Sequence, residues 1–353
     1  MRDLSGDYRI PVSLSLSCQT EKQPTLKRNL SQSICFLLCR YFLISKSAIF
    51  DSLKTLSYVL FGSLILFPIV SKAPLLGWDW YFFYNSNNPV FNLYTSQSAY
   101  PPFTHYFIEL FTWMDWRVSL GWLNSITLFT VALATWKNGG KYKEIALALS
   151  APPLWFLLWI GHPEGLVLLG VITGIVPLIL IKPVISLFSI FSSRKLFAWT
   201  ALFFALSLII WPGWVFAFQS ASFGHEAAFG WADMGWPLLI LGCILLPGAG
   251  KNPYRLMAAG CFITPFLMPY HLALLTPAMG KARGWRLVLL WLSSWCVFLG
   301  TGLQGYGHLV SFAFPLMVYL TSGSLSTYWM NLQALTNEIR EIFLFLRFDI
   351  NRV

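Results

Sequence analysis

Charged side chains are scarce in this chain. Only 11% of its 353 residues are Asp, Glu, Lys or Arg, against about 25% in soluble globular domains. With 56% hydrophobic residues and a mean hydropathy of +0.62, the composition excludes an ordinary soluble domain. We predict an all-α, polytopic membrane helical bundle, because helices satisfy all their backbone hydrogen bonds without water.

The chain also lacks the short motifs that mark common catalytic and cofactor sites. It contains no HExxH, no GxSxG, no P-loop and no Rossmann glycine fingerprint. The six cysteines are scattered, with no CxxC and no Cys/His metal spacing. We therefore expect no cofactor, no metal and no disulfide framework. An enzyme of this composition would use an activated substrate that the membrane delivers.

Basic residues outnumber acidic ones, and the formal net charge is +10. They form short clusters between apolar runs, which favours the positive-inside rule and contact with anionic lipids over nucleic-acid binding. The clusters alternate with loops that contain no Lys or Arg, which the rule assigns to the outer side. The clusters begin at Lys137, Lys182, Lys251 and Lys281, and the bare loops are 73–103, 161–164, 217–235 and 303–307.

Apolar runs of membrane-crossing length recur along most of the chain. We predict about eight to ten transmembrane helices within a membrane domain at 49–325, between a polar or interfacial segment at 1–48 and an amphipathic C-terminal cytoplasmic helix at 326–353. The clearest predicted spans are 55–71, 117–137, 145–160, 165–181, 196–216, 236–248, 287–301 and 308–321.

Residues 256–280 do not fit this alternation. They lie between two basic clusters, so the chain must enter the membrane and return, and 25 residues are too few for two full spans. Pro265 and Pro269 interrupt the run. We predict a broken helical hairpin whose apex, 264–271, forms the wall of a site.

Asp79 lies just past the first predicted span, in a loop with no cation. An ionisable residue in such a place is a candidate functional group. A carboxylate there can act as a general base for a hydroxyl group. The competing interpretation is an ordinary helix N-cap or turn Asp.

The same loop ends in Tyr100-Pro101-Pro102, which favours the start of a helix. His105 and Glu109 follow four residues apart and would share a helix face. They would pair with each other, bind a cation or hold a phosphate. Because only two residues are involved, a His105–Glu109 pair is favoured over a metal or phosphate site.

Histidines are the other informative side chains. All five are predicted on the outer side, among them His162, which shares a tight turn with Glu164. His271 stands out because a histidine in the apolar, broken hairpin is costly unless it is used or paired. The alternative is a histidine that packs with its hydrogen bonds satisfied.

Together these segments resemble the membrane C-type glycosyltransferases, in particular the polyprenyl-phosphate-sugar-dependent family 87 (the DUF2029 group). Asp79-Trp80 with Tyr81 and Tyr84 resembles the start of that family's first outer loop, and Tyr100-Pro101-Pro102 resembles its end. The segment 264–272 is similar to the family's hairpin motif, with Tyr270 and His271 in the two histidine places.

The resemblance implies a GT-C-like fold and an inverting transfer of a mannose-like hexose from a polyprenyl-phosphate donor to a lipid or glycan acceptor, without a metal. Asp79 would be the general base, and His271 would stabilise the leaving phosphate. It also implies a bacterial inner membrane with the site facing outside. The remaining substrate-binding candidates are Tyr81, Tyr84, Tyr100, His105, Glu109, Arg117, His162 and Tyr270.

Two other functions stay open from the sequence. A transporter or flippase of lipid-linked or small solutes would show paired broken helices in two related halves, but only one broken hairpin is visible. A non-catalytic membrane scaffold would have Asp79 in a loop contact, with no cavity joining it to His271.

Overall fold

A computed structural model describes residues 46–85, 101–111, 113–212, 214, 229–303, 305–323, 328–334, 336, 337 and 340. This part of the chain is all-α, as the composition predicts, and its only extended pairing is one isolated bridge. The α-helices are α1 Lys46–Val70, α2 Trp78–Asn85, α3 Pro102–Glu109, α4 Trp116–Lys137, α5 Tyr142–Leu149, α6 Pro152–Ile160, α7 Glu164–Thr173, α8 Val176–Ile179, α9 Arg194–Ile210, α10 Trp231–Met234, α11 Trp236–Gly248, α12 Pro253–Ile263, α13 Trp285–Thr301 and α14 Ala313–Thr321. Helices of 3-10 type cover Ser186–Ser192, Pro269–Lys281 and Gly305–Phe312.

Within the described residues, two helices, α1 and α4, are long and apolar enough to cross a membrane. A third span exists if α5 and α6 are taken together, although they are bent by 52°. Proline explains the bend, because Pro152 and Pro153 follow α5 and cannot continue its hydrogen bonding. These helices are compatible with a membrane protein.

The predicted single span at 165–181 is wrong. α7 ends at Gly174, whose left-handed φ of +74° stops the helix, and α8 follows as a separate turn. A straight helix of this length would separate its ends by about 26 Å. Instead, Lys182 Nζ lies 3.1 Å from Glu164 Oε1, so the chain folds back to where α7 begins.

The predicted break in the 256–280 hairpin is present. α12 ends at Ile263, and the chain resumes as the 3-10 helix Pro269–Lys281. The bend between them is fixed by an antiparallel bridge, in which the N–H groups of Phe229 and Leu267 donate to each other's carbonyl oxygens at 2.8 and 2.6 Å. The bridge satisfies backbone groups that the break exposes.

Several loops with predicted inner positions meet at one end of the bundle. The Arg283 guanidinium lies 3.4 Å from Glu144 Oε1 and donates to the Gly139 carbonyl at 2.5 Å. Asn138 donates to the Pro277 carbonyl at 2.8 Å. The loops that contain the first and last basic clusters therefore share one end, as the charge pattern predicts.

The terminal segments lie largely outside the described residues. Nothing described tests the predicted segment 1–48. Of the predicted C-terminal helix, residues 328–334 are helical. Tyr328 and Asn331 donate to carbonyls of α11 at 3.2 and 3.0 Å, so the start of this segment packs on the bundle.

The glycine that ends α6 is expected to be essential for stability. A Cβ on Gly161 would lie 2.6 Å from a Leu120 methyl group and 2.9 Å from Trp80 Cβ, at a φ of +78°. We expect Gly161→Ala to destabilise the protein by about 3 kcal/mol, measured by thermal unfolding. Gly174→Ala is the matched control, because its φ is similar but nothing lies within 4 Å of the added Cβ. It should cost about 1 kcal/mol, and equal losses would contradict the steric argument.

Candidate functional site

Two glycines bring the start of α2 against the end of α6. Gly77 and Gly161 both adopt left-handed φ angles, +61° and +78°, which other residues rarely tolerate. The Gly77 N–H donates to the Trp159 carbonyl at 2.9 Å. Trp80 is fully buried, and its indole N–H donates to Ser119 Oγ at 2.7 Å. These contacts fix the position of α2. Asp79, in the first turn of α2, therefore lies beside the turn that follows α6.

That turn places His162 and Glu164 in the interior. Their side chains are only 2% and 1% exposed. Glu164 opens α7, where the positive end of the helix favours a carboxylate. The His162 Nδ1 and Glu164 Oε2 atoms are 2.5 Å apart. This contact assigns the proton to Nδ1, since a carboxylate can only accept.

Lys182 completes the centre of the cluster. Its ammonium group lies 3.1 Å from Glu164 Oε1, 2.9 Å from His162 Nε2 and 3.3 Å from the Tyr270 hydroxyl oxygen. His162 Nε2 therefore accepts from Lys182 while Nδ1 donates to Glu164. The Lys182 side chain is 10% exposed, so this is a buried ion pair linked by hydrogen bonds to its neighbours.

The broken hairpin supplies the far wall of the cluster. The His162 and Tyr270 rings stack with centroids 4.4 Å apart. His271 Nδ1 accepts from the Met268 N–H at 2.9 Å, which assigns the ring proton to Nε2. That Nε2 lies 3.5 Å from Glu164 Oε1 and has no hydrogen-bond partner among the described residues. His271 is thus aimed at the carboxylate, slightly too far away to bond.

Asp79 stands at the open edge of the cluster. Its Oδ2 lies 3.6 Å from His162 Nε2, and its side chain is 40% exposed while the groups behind it are buried. A line of side chains therefore runs from the exposed Asp79 through His162 and Glu164 to His271. The scaffold hypothesis predicts a loop contact for Asp79 and no cavity joining it to His271. Asp79 contacts His162, which lies in the turn between α6 and α7. The link to His271 runs through side chains, so the scaffold hypothesis stays open.

The electrostatics follow from burial. Burial alone would raise the pKa of Glu164, but His162 and Lys182 beside it hold that pKa well below its usual range. Burial lowers the pKa of Lys182, and Glu164 opposes this shift. Burial also lowers the pKa of His162. These shifts favour a carboxylate on Glu164 and a neutral imidazole on His162 at neutral pH.

Among the described residues, no group of three or more His, Cys, Asp and Glu side chains has the geometry to hold a metal ion. His162, Glu164 and His271 do converge, but the cation that they surround is the ammonium group of Lys182. The arrangement is suited to binding an anion or moving a proton at its open edge, next to Asp79.

Of the residues predicted from the sequence, Asp79, His162, Tyr270 and His271 lie together in this cluster. Tyr81 and Arg117 lie nearby but outside it. Tyr81 lines an open groove of about 330 Å³ with Leu76, Trp78 and Trp116. The Arg117 guanidinium carbon lies 5.0 Å from the centre of the Trp116 ring, so Arg117 flanks the groove.

The other predicted site residues are not part of the cluster as described. Glu109 is exposed at the end of α3. Tyr100 lies outside the described residues, and so do the side chains of Tyr84 and His105. The predicted His105–Glu109 pair therefore stays a prediction.

Lys182 is the member of the cluster that the charge pattern does not place. The pattern groups it with Arg194 and Lys195 on the inner side, whereas it contacts His162 and Glu164. The sequence alone gives Glu164 no role beyond its turn with His162. The signal in the sequence is Gly174, which interrupts the apolar run between Glu164 and Lys182 and allows the chain to return.

Breaking the buried ion pair should be costly. Lys182→Met leaves Glu164 as a buried charge that has lost its strongest partner, so we expect a loss of about 3–5 kcal/mol in thermal or denaturant unfolding. The double variant Lys182→Met/Glu164→Gln should lose less than the sum of the single variants. Lys143→Met, which removes an exposed lysine, should stay within about 0.5 kcal/mol. Additive losses in the double variant would argue against direct coupling.

Stability should fall as the pH is lowered from 7 to 5. Burial lowers the pKa of His162 in the folded state. The stability that depends on neutral His162 is therefore fully present above its unfolded-state pKa of about 6.5, and it is lost as the pH falls toward its lower folded-state pKa. One such histidine changes stability by at most about 1.4 kcal/mol per pH unit. In His162→Gln the unfolding midpoint should depend less steeply on pH. Equal slopes for the variant and the wild type would contradict this.

Comparison with known proteins adds no further assignment to this geometry. No family model, no curated protein and no solved structure matches the chain. The interpretation of the site therefore rests on its own residues and distances.

Proposed function

We propose that this protein is an integral membrane glycosyltransferase. It moves a mannose-like hexose from a polyprenyl-phosphate donor to a hydroxyl group of a lipid or glycan acceptor, with inversion at the anomeric carbon. The observation that carries the proposal is the half-exposed Asp79 carboxylate, 3.6 Å from His162 at the edge of the buried cluster with Lys182. Asp79 can serve as a base there, and Lys182 behind His162 can serve as the cation that attracts a phosphate.

Asp79 acts as the general base. It takes the proton from the acceptor hydroxyl while that oxygen bonds to the anomeric carbon, and the bond from that carbon to the phosphate oxygen breaks. The electron pair leaves with the polyprenyl phosphate. Because Asp79 is exposed, an acceptor can reach it, and the proton can later pass to water.

The buried cluster binds the leaving phosphate. Lys182 is neutralised by Glu164 before the donor arrives, so the cluster gains charge by protonation of His162. A phosphate beside His162 favours the imidazolium form, because opposite charges stabilise each other strongly where water is excluded. His162 Nε2 then takes a proton from water and donates it in a hydrogen bond to the phosphate, in place of accepting from Lys182. The Lys182 ammonium and the imidazolium then stabilise the charge that develops on the leaving oxygen.

The groove beside Asp79 suits a sugar ring. Trp78 and Tyr81 lie one helical turn apart, so they share a face of α2, and Tyr81 meets the Trp116 ring edge-to-face at 5.0 Å. Binding sites typically combine apolar and aromatic walls with a few polar groups at the rim. Here the polar groups are Arg117 and Asp79, and the groove holds the acceptor.

The location follows from the proposed donor. Polyprenyl phosphates are membrane lipids, so the site faces one surface of the membrane that α1 and α4 cross. We assign it to the outer face of a bacterial inner membrane, because the first and last basic clusters lie at the other end of the bundle and follow the positive-inside rule.

Transfer assays with matched variants test this function. The purified protein in lipid vesicles would receive radiolabelled polyprenyl-phosphate mannose or glucose, with a total lipid extract as acceptor. We expect transfer by the wild type and a loss of at least about 100-fold in Asp79→Asn. Asp115→Asn is the control, since Asp115 is an exposed helix cap and Asn also caps helices. Equal transfer by Asp79→Asn would remove Asp79 from catalysis.

The second candidate is a proton-linked transporter. The buried Lys182–Glu164 pair favours it, because ionisable groups at depth in membrane proteins often carry protons or ions. It predicts solute uptake into proteoliposomes under a pH gradient, abolished by Glu164→Gln, and no sugar transfer with either donor. Transfer without uptake would exclude it.

A further inference from the structure

His271 is a buried histidine that the proposed reaction leaves without a role. Its side chain is 4% exposed. Nδ1 accepts from the Met268 N–H at 2.9 Å, which holds the ring in place and leaves the ring proton on Nε2. That Nε2–H group has no hydrogen-bond partner among the described residues. A buried donor without a partner costs free energy, and native proteins contain few of them.

The unused donor of His271 is directed at Glu164 Oε1, which lies 3.5 Å from Nε2. Lys182 Nζ lies 3.1 Å from the same oxygen, so two donors compete for it and the lysine is the nearer. Oε1 itself is buried without an aligned hydrogen bond among the described residues. A movement of about 0.6 Å would bring His271 and Glu164 to ordinary hydrogen-bond length.

Lys182 is the partner that can leave this oxygen. Its ammonium group ends a flexible four-carbon chain, and its side chain is 10% exposed against 1% for Glu164. It also contacts His162 Nε2 at 2.9 Å, the atom that faces the half-exposed Asp79. In the proposed reaction a phosphate binds at that edge, and charge-assisted hydrogen bonds draw the ammonium group toward it.

Building on the proposed function, we propose that His271 is a positioning residue that replaces Lys182 on Glu164 Oε1 when Lys182 turns to the phosphate of the donor. His162 continues to donate to Oε2. The buried carboxylate therefore has a partner on each oxygen before and after the exchange. His271 acts through Glu164 and touches neither the sugar nor the phosphate.

The exchange makes phosphate binding tighter. Without His271, the departing lysine leaves Glu164 Oε1 buried with no donor, and this cost opposes binding. A hydrogen bond to a charged group changes an equilibrium constant by roughly ten- to a hundredfold. The effect is specific to ligands that draw Lys182 away, since His271 has no free acceptor while the lysine stays.

Binding of farnesyl phosphate, a short polyprenyl phosphate without a sugar, tests the exchange without requiring transfer. Calorimetry on the full chain in nanodiscs measures its Kd. His271→Leu should weaken binding at least about tenfold. His271→Gln, whose amide nitrogen can donate from the place of Nε2, should stay within about threefold of the wild type. His308→Leu removes a buried histidine outside the cluster and should bind as the wild type does.

A double variant separates this role from simple packing. In Lys182→Met no ammonium group leaves Glu164, so adding His271→Leu should change the Kd of farnesyl phosphate by less than about twofold. A tenfold loss on His271→Leu in both backgrounds would indicate a packing role and overturn the proposal. So would a wild-type Kd in His271→Leu.

The wild type itself gives a second measurement, which stands even if the variants fail to fold. Its five histidines can be labelled with ¹⁵N and followed by NMR. The proton signal of the His271 Nε2–H group should move downfield when farnesyl phosphate binds, because the group then donates to a carboxylate. Bound ligand with an unmoved signal overturns the exchange and leaves the proposed function intact. Absence of both farnesyl phosphate binding and sugar transfer overturns both.

Discussion

The ion pair between Lys182 and Glu164 determines how the centre of this fold is organised. Its two residues lie at opposite ends of an apolar run, and holding them 3.1 Å apart forces that run to fold back at Gly174. Because both groups are buried, their mutual attraction and two hydrogen bonds must offset a large desolvation cost. In these bonds His162 donates to Glu164, and the Tyr270 hydroxyl accepts from Lys182. The cluster thus links α7 to the hairpin apex by polar contacts, in addition to the apolar packing between them.

The same pair sets the chemical character of the site. Lys182 and Glu164 compensate each other's charge in the interior, and His162 lies between them and the exposed Asp79. A neutral imidazole next to a carboxylate can take up or release a proton without leaving an isolated buried charge. Both proposed functions depend on this proton exchange at the open edge.

The molecule combines rigid and broken helices in a consistent way. α1 and α4 are long and continuous, and they are the helices suited to the membrane. The segments near the cluster are short, ending at Gly161, Gly174 or the prolines of the hairpin. Broken backbone at depth requires replacement hydrogen bonds, which the Phe229–Leu267 bridge and the carbonyl contacts of the bends supply. The helices are therefore interrupted next to the cluster, where the side chains of His162, Glu164, Lys182 and His271 come together.

The sequence by itself determined the all-α class, the apolar helices compatible with a membrane, the break in the hairpin and the choice of Asp79, His162 and His271 as candidates, which the structure brings together. These follow from composition, proline positions and the scarcity of ionisable groups, all of which are local properties. The tertiary structure alone decided that Lys182 joins His162 and Glu164. The physical reason is that the chain reverses at Gly174 and so brings Lys182 back to Glu164. The order of charges along the chain does not predict such a reversal.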